Sequence, residues 1–251
     1  MKADDLLLAR LASVLLLVIC VLAPVSSRGA SPVIVPPPEP DPHYTAIGFF
    51  DVRVCQWPEL PLFMQVLFST TNFAVVRNVE ILNSDGKLVG HLPLDKYRLI
   101  KQKDGSEKRV FMSPFPMPPG TKGGWYTGRI TTTEGKVYLA KDLVNIKALP
   151  MARNLKPAKD VENIPAPSYL SWDPVPGASM YQVLVHDVWE GEQLIFRSPH
   201  LRENRVKLPD GLMRPGGYYM WRVHARDVDG DIQLGDFNHG SLTPFVRFSV
   251  K

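Results

Sequence analysis

Cysteine is nearly absent from this 251-residue chain, which contains Cys20 and Cys55 alone. If Cys20 leaves with the apolar leader described below, Cys55 is the only cysteine that remains, and an intramolecular disulfide is excluded. Stability then comes from packing rather than from covalent cross-links. Cys55 lies in the run FFDVRVCQW, which predicts a buried free thiol in a strand rather than a nucleophile.

The chain also lacks an apolar run long enough to span a bilayer as a helix. Its longest such run, Leu11 to Val25, has roughly 15 residues against the roughly 20 that a span requires. Lys2 and Arg10 precede this run, and Val25 and Ser27 occupy the −3 and −1 positions of a cleavage site. This layout predicts a signal peptide over residues 1–27 and a secreted or periplasmic protein.

Two alternatives for the leader stay open. One is that the apolar run stays in the protein as an uncleaved anchor. Asp4 and Asp5 are atypical of the region before the apolar run, which also leaves a start codon further downstream open. Cys20 raises lipid attachment as the other, although Ile19 stands where a lipoprotein site carries a small residue. We expect contact with a membrane only in these two cases.

No block of five or six like charges occurs, because 29 basic and 25 acidic residues are mixed along the chain. The net charge of +4 is therefore spread over a mixed surface, and a nucleic-acid-binding arm is not indicated. The densest basic stretch, Arg98 to Arg109, also contains Asp104 and Glu107. This stretch predicts a charged hairpin.

Motifs of catalysis and cofactor binding are missing too. We find no G-x-S-x-G elbow, P-loop, H-E-x-x-H, dinucleotide fingerprint or C-x-x-C-H, so we expect no enzyme and no cofactor. No Cys/His spacing indicates a metal site. The segment DVDGD, Asp227 to Asp231, departs from an EF-hand loop and is typical of a tight turn, which leaves only weak calcium binding open.

Proline, by contrast, is abundant, with 24 residues. Six of them fall between Pro32 and Pro42. This composition favours an extended polyproline II conformation. Residues 28–43 are therefore predicted to be a linker.

Residues 44–150 have the character of strands throughout. Runs such as PLFMQVLFST and FAVVRNVEILN are rich in β-branched and aromatic residues. Turn pairs at Asp85-Gly86, Asp104-Gly105 and Glu134-Gly135 separate strand-like runs, which predicts three successive hairpins. About seven strands in this length favour a β-sandwich, although strand number alone does not distinguish a sandwich from a barrel.

Residues 157–251 show the most specific pattern. Apolar residues alternate through Tyr181, Val183 and Val185, and again from Tyr219 to Ala225, as in half-buried strands. With Trp172 at a strand end and Pro215-Gly216 before Tyr219, this segment resembles a fibronectin type III domain. The resemblance implies that Trp172 and Tyr219 pack between two sheets, and it implies little about activity. We therefore predict an all-β chain with two immunoglobulin/fibronectin type III-like sandwiches.

The same alternation places a second set of residues on the outward face of the last sandwich. That face carries Gln182, Leu184, His186, Met220, Arg222, His224 and Arg226. We predict a basic, partly apolar binding surface at His186, Arg222, His224 and Arg226, suited to an acidic or carbohydrate partner; a plain solvated face is the alternative. Trp57, Trp125 and Trp189 are candidates for exposed aromatic rings, and Trp189 completes the predicted site.

These observations together predict an exported, non-enzymatic protein that binds another protein in the envelope or extracellular space, as an assembly subunit or adaptor. A carbohydrate-binding or surface-adhesion module is the alternative, and exposure of Trp125 and Trp189 would favour it.

Overall fold

The computed structural model describes residues 41–227 and 237–251. The predicted signal peptide, Cys20 and nearly all of the predicted linker lie outside these residues, as does most of DVDGD. The described part is built of strands and one short 3-10 helix, Phe73–Val75. Within it, no helix is long and apolar enough to cross a membrane. The predicted all-β class is therefore confirmed.

The first nine strands form a sandwich of two sheets. One sheet contains β1, β2, β3, β7 and β6, and the other has the order β5-β4-β8-β9. The bounds are β1 (Tyr44–Thr45), β2 (Gly48–Gln56), β3 (Phe63–Thr70), β4 (Val76–Leu82), β5 (Leu88–His91), β6 (Tyr97–Lys101), β7 (Glu107–Pro116), β8 (Gly124–Thr132) and β9 (Val137–Val144).

The three hairpins predicted from the turn pairs are present. β4 pairs with β5, β6 with β7 and β8 with β9, each in antiparallel register. The second residue of each turn, Gly86, Gly105 and Gly135, has a positive φ between 74° and 82°, a conformation in which glycine has no Cβ clash. Local turn chemistry therefore sets these three pairings.

The core of this sandwich lies between its two sheets. Phe50, Phe68 and Phe111 from one sheet pack with Tyr126 and Ile130 from the other, and each is at most 2% exposed. Along β8, Tyr126 and Ile130 alternate with less buried neighbours, as in a half-buried strand, whereas β3 is buried on both faces.

The last eight strands form the second sandwich. β11 and β14 make one small sheet, which faces the array β13-β12-β15-β17-β10. This separation of strands into two facing sheets is the immunoglobulin/fibronectin type III-like arrangement. The bounds are β10 (Val161–Ile164), β11 (Tyr169–Ser171), β12 (Met180–Asp187), β13 (Gln193–Arg197), β14 (Arg205–Lys207), β15 (Tyr218–Arg226), β16 (His239–Leu242) and β17 (Val246–Val250).

The predicted aromatic core of the second sandwich is confirmed. Trp172, Tyr181, Tyr219 and Trp221 are all at most 4% exposed. The hydroxyl oxygen of Tyr219 accepts a hydrogen bond of 2.7 Å from the backbone N–H of Arg214. This contact closes the turn before β15, as in the tyrosine corner of immunoglobulin-like folds.

A parallel strand pair joins the two sandwiches into one sheet. β16 pairs antiparallel with β15 on one side and parallel with β2 on the other, where Gly240 lies opposite Cys55. The result is a continuous sheet of eleven strands, and the described residues belong to one compact unit. Each half keeps its own apolar cluster; the domain bounds 44–150 and 157–251 stay predictions.

The chain between the sandwiches is also tied to β16. His239 donates through Nε2 to the carbonyl of Asn145 at 2.7 Å, and its Nδ1 lies 2.5 Å from an Asp227 carboxylate oxygen. Ser241 donates from its hydroxyl to the carbonyl of Pro150. Because both ring nitrogens of His239 face acceptors, chiefly the Asp227 carboxylate, the pKa of this histidine is raised.

Candidate binding cleft

A cleft of about 630 Å³ lies over the region where the continuous sheet passes from one sandwich to the other. Its walls come from one face of β12, β15 and β16 and from the same face of β2, β3 and β7. We call it the basic cleft, after its lining of arginine and histidine: Arg53, Arg98, Arg197, His200, Arg222, His224 and Arg226.

Strand register brings three of the five predicted site residues together in this cleft. Arg222 lies opposite Leu184 and His224 lies opposite Gln182, while Arg226 pairs with Met180 at the end of β15. These three residues therefore lie on one face of the sheet, as predicted, but that face is not fully exposed to solvent. The three side chains are half-buried. Phe237 packs against His224 and Arg226, and Phe245 packs against Arg222. Their role in binding stays a prediction.

His224 and Arg226 form a polar network on the floor of the cleft. The Arg226 guanidinium donates through Nε and Nη2 to His224 Nδ1, at 3.2 and 3.0 Å, and through Nη2 to the Gln182 side-chain oxygen at 3.1 Å. Its Nη1 lies 3.0 Å from His200 Nε2. Neutral groups therefore hold this cation in place, and none of these contacts neutralises its charge.

The same network sets the protonation of His224. Burial, followed by the charge of Arg226, holds the pKa of His224 well below its usual range. Since Nδ1 accepts from Arg226, the ring proton is assigned to Nε2. Nε2 is buried and has no hydrogen-bond partner among the described residues. Burial also lowers the pKa of Arg226 to about 10, so that side chain stays charged at neutral pH.

Arg222 and His186 both pack against the aromatic ring of Phe245. The Arg222 guanidinium lies 4.3 Å from the centroid of Phe245, and the His186 ring meets Phe245 edge-on at 5.2 Å. His186 also hydrogen-bonds through Nδ1 to the carbonyl of Glu192 at 2.7 Å. His186 does not line the cleft. Stacking on an aromatic ring is a favourable position for a guanidinium.

The opposite wall belongs to the first sandwich. Arg53 Nε donates to the Asp51 carboxylate at 2.5 Å, and the Arg53 guanidinium lies 4.5 Å from the Phe237 ring. Cys55 lies two residues after Arg53, on the same face of β2. It is 1% exposed, which confirms the buried thiol predicted from the sequence. Burial raises the pKa of Cys55 to about 12, so the thiol is protonated at neutral pH and is not a nucleophile.

Among residues 41–227 and 237–251, the basic cleft holds more positive charge than its acids neutralise. Arg53 pairs with Asp51, and Glu59 is the one described acidic residue in the lining. Among the described residues, no carboxylate oxygen lies within 4.0 Å of the four other arginines: Arg98, Arg197, Arg222 and Arg226. A cleft lined by positive charges concentrates their electric field, and this field attracts anions into the cleft.

Sequence patterns missed most of this lining. Arg53, Arg98 and Phe237 come from segments far from β12 and β15 along the chain. No sequence pattern in β2 or β16 predicts that these two strands pair in parallel. The alternation of Asp51, Arg53 and Cys55 on one face of β2 was the available signal, and it did not say which surface that face meets.

Trp189 and Trp125 lie on open surfaces elsewhere. Trp189, in the loop after β12, is 70% exposed and lies 5.8 Å from the Tyr218 ring, centroid to centroid. Trp125 is 48% exposed at the start of β8, opposite Leu143. Trp57 is half-buried against Phe63. Trp189 is therefore separate from Arg222, His224 and Arg226, with which the sequence had grouped it.

A second polar cluster, the His43 clasp, joins β9 to the chain before β1. His43 Nε2 lies 3.1 Å from Asp142 Oδ1, and Nδ1 lies 2.6 Å from Asp41 Oδ1. The other Asp142 oxygen accepts from the backbone N–H of Val52 at 2.7 Å. Donor atoms of His43, Asp51 and Asp142 lie within 4.8 Å of one another, as a metal site would need. The hydrogen bonds of His43 and Asp142 tie β9 to β2 and to the chain before β1.

Asp227, the first residue of DVDGD, is likewise engaged. One of its carboxylate oxygens accepts a hydrogen bond from the backbone N–H of His239, and the other lies within hydrogen-bond distance of His239 Nδ1. The other four residues of that segment lie outside the described residues, so weak calcium binding there stays untested.

Comparison with known proteins shows no matching family model and no matching curated protein. Among solved structures, this chain is similar to domains A168–A170 of titin, with 15% identity and a TM-score of 0.27. It is also similar to dimeric latent PorU from Porphyromonas gingivalis, with 11% identity and a TM-score of 0.25. These alignments cover 78% and 80% of this chain, but 62% and 20% of the other two chains.

Proposed function

We propose that this protein is an exported, non-enzymatic binding protein whose basic cleft receives an acidic segment of another protein. The observation that carries the proposal is the group of four arginines that line one cleft without a carboxylate partner among the described residues. An anionic ligand would supply the missing partners.

The electrostatics of the cleft favour such a ligand. The pKa of Arg222 is lowered by burial, and that of Arg226 is lowered by burial and by the nearby charges of Arg53 and Arg197. Cations that are partly desolvated and close to one another repel, and a carboxylate placed among them relieves both costs. Hydrogen bonds from guanidinium to carboxylate are also among the stronger ones in proteins.

The shape and lining of the cleft favour a protein segment. Apolar groups, among them Trp57, Leu184 and Phe237, lie between the cations. A volume of about 630 Å³ is within the range of ligand pockets and accommodates several side chains. A segment with acidic and apolar residues side by side matches both kinds of wall.

A non-enzymatic role is supported by the chemistry of the cleft. The pKa of Cys55 is raised rather than lowered, the opposite of what an attacking thiolate needs. The imidazole of His224 is occupied at Nδ1 by Arg226. Among the described residues that line the cleft, no side chain pairs a nucleophile with a base at hydrogen-bond distance.

The test is a titration of the mature chain with a dye-labelled octamer of glutamate, followed by fluorescence anisotropy. We expect binding that weakens steeply between low salt and 0.5 M NaCl, and a loss of about tenfold in affinity for Arg222→Gln and for Arg197→Gln. Arg77→Gln removes an exposed arginine on β4, away from the cleft, and is the matched control. Equal binding by all three variants would refute the cleft as the site.

Export is tested separately, by fractionation of cells that produce the full chain. We expect the protein outside the cytoplasm and shortened at its N-terminus by about 27 residues, the length of a typical signal peptide. Full-length protein in the cytoplasm would contradict this part of the proposal.

A carbohydrate-binding or adhesion role is the second candidate, favoured by the exposure of Trp189 and Trp125. An exposed indole beside Tyr218 offers a flat face on which a sugar ring can stack. Binding on a glycan array that is lost in Trp189→Ala and retained in Arg222→Gln would support this candidate over the cleft.

A further inference from the structure

Strand β6 lies at one end of the eleven-stranded sheet. Within the part of the chain that the structure describes, it pairs with β7 alone. All five of its residues are exposed, including Tyr97 at 43%, Leu99 at 48% and Ile100 at 47%. A strand edge with exposed apolar side chains is a template for pairing with another strand.

Hydrogen-bond alternation shows which backbone groups face outward. The Gln102 N–H donates to the Ser106 carbonyl and closes the β6–β7 hairpin. In an antiparallel pair, every second residue bonds to the partner strand, so Arg98 and Ile100 direct their N–H groups toward β7. Tyr97, Leu99 and Lys101 therefore direct their N–H and C=O groups away from β7. These outward groups are the β6 edge.

The two faces of β6 differ in chemistry. Tyr97 and Leu99 lie on the side of the first apolar core, where Tyr97 meets Phe111 at 5.9 Å between ring centroids. Arg98 lies on the other face and lines the basic cleft. In a strand added here, every second side chain would be apolar and would extend the core. The side chains that alternate with these would lie on the other face, beside Arg98.

Charge selects the kind of strand that fits. Residues 95–109 contain six basic residues against three acidic ones, and no described carboxylate lies within 4.0 Å of Arg98 or Lys101. A second copy of β6 would set like charges beside one another, which disfavours self-pairing. An acidic strand would instead be attracted.

We propose that the β6 edge is a strand-addition site for an extended segment of the partner protein in which apolar and acidic residues alternate. This proposal rests on the protein-binding role proposed above, and it adds the conformation in which the partner binds. Backbone hydrogen bonds would give affinity, while the two faces of β6 would give specificity.

The test uses a dye-labelled octapeptide of four Glu-Val repeats, together with the same peptide N-methylated at alternate residues. N-methylation removes the N–H groups that a new strand would offer and leaves the charge unchanged. We expect the methylated peptide to bind at least tenfold more weakly. Equal affinity of the two peptides would overturn the proposal.

Variants of Leu99 provide the second arm. Leu99→Pro removes an outward N–H without removing a bond to β7, a position where edge strands tolerate proline, and Leu99→Ala is the matched control that keeps the N–H. We expect a loss of about tenfold for the proline variant and of less than threefold for the alanine variant. Thermal unfolding checks that both are folded, and the methylated peptide decides the outcome if Leu99→Pro is not.

The two proposals fail differently. Octaglutamate binding that depends on Arg222, with no effect of N-methylation or Leu99→Pro, would overturn strand addition and leave the cleft proposal standing. Binding of the Glu-Val peptide that depends on its N–H groups and on Leu99, without octaglutamate binding, would leave strand addition standing and overturn the cleft. Dimerisation of the chain through Leu99 in sedimentation runs would overturn the acidic partner in favour of a second copy.

Discussion

The His43 clasp makes the stability of the first sandwich depend on pH. Both ring nitrogens of His43 face carboxylate oxygens, and the hydrogen bond to Asp142, with a smaller contribution from Asp41, raises the pKa of His43 to about 9. Only the imidazolium form donates from both nitrogens. Loss of its proton leaves a lone pair against a carboxylate and removes the attraction between the charges.

The magnitude follows from the difference in pKa between the folded and unfolded chain. A rise from 6.5 to about 9 corresponds to about 3 kcal/mol, and partial exposure of the ring reduces this to about 2–3 kcal/mol. Because the folded pKa is the higher one, the contribution is fully present below pH 6.5. It is lost as the pH rises through 9.

The assay is urea unfolding of the mature chain at intervals from pH 6 to pH 9.5, with a reductant to protect Cys55. We expect the wild-type free energy of unfolding to fall across this interval. His43→Gln keeps one hydrogen-bond donor but cannot be charged, so we expect lower stability at pH 6 and a flatter profile. His239 has a raised pKa as well, and His239→Gln measures its share of the slope.

Two results would refute this reasoning. Parallel profiles for the wild type and His43→Gln would show that the His43 pKa is not raised on folding. A stability that rises between pH 6.5 and 9 would show that the sign of the linkage is wrong.

Three further predictions concern packing and the thiol. Tyr219→Phe removes the hydrogen bond that the hydroxyl accepts from Arg214, so we expect a loss of about 1–2 kcal/mol in urea unfolding. Gly128→Ala would place a Cβ within 2.9 Å of three Phe50 ring atoms. We expect it to destabilise the first sandwich by about 1–3 kcal/mol, and an unchanged urea midpoint would contradict this packing. The Cys55 thiol, whose pKa is raised to about 12, should react with a thiol reagent at pH 8 only after denaturant is added; rapid labelling of the folded chain would contradict its burial.

Much of the local structure followed from the sequence because its causes are local. A glycine after an acidic residue at positions 86, 105 and 135 permits the positive φ of a tight turn, and the strands on either side then pair. Alternation along β12 and β15 separates core residues such as Trp221 from outward ones such as Arg222. These features depend on the two-residue period of a strand, which is visible in one dimension.

The composition of the basic cleft could not be predicted in the same way. Outward alternation identified Arg222, His224 and Arg226 correctly as residues of one face. It could not show that Arg53 and Arg98 lie across from them, because that depends on the parallel pairing of β16 with β2. The sequences of two strands so far apart along the chain do not show that they pair with each other.

The sequence alone therefore determined the all-β class, the hairpins and the buried aromatic residues, since turn chemistry and side-chain alternation act between near neighbours. Tertiary structure alone decided what the outward face of β15 became. One parallel strand pair joined two sheets and turned a face expected to be open into the wall of a cleft. Pairing between distant strands is chosen by the packing of the whole chain, and the cleft follows from that choice.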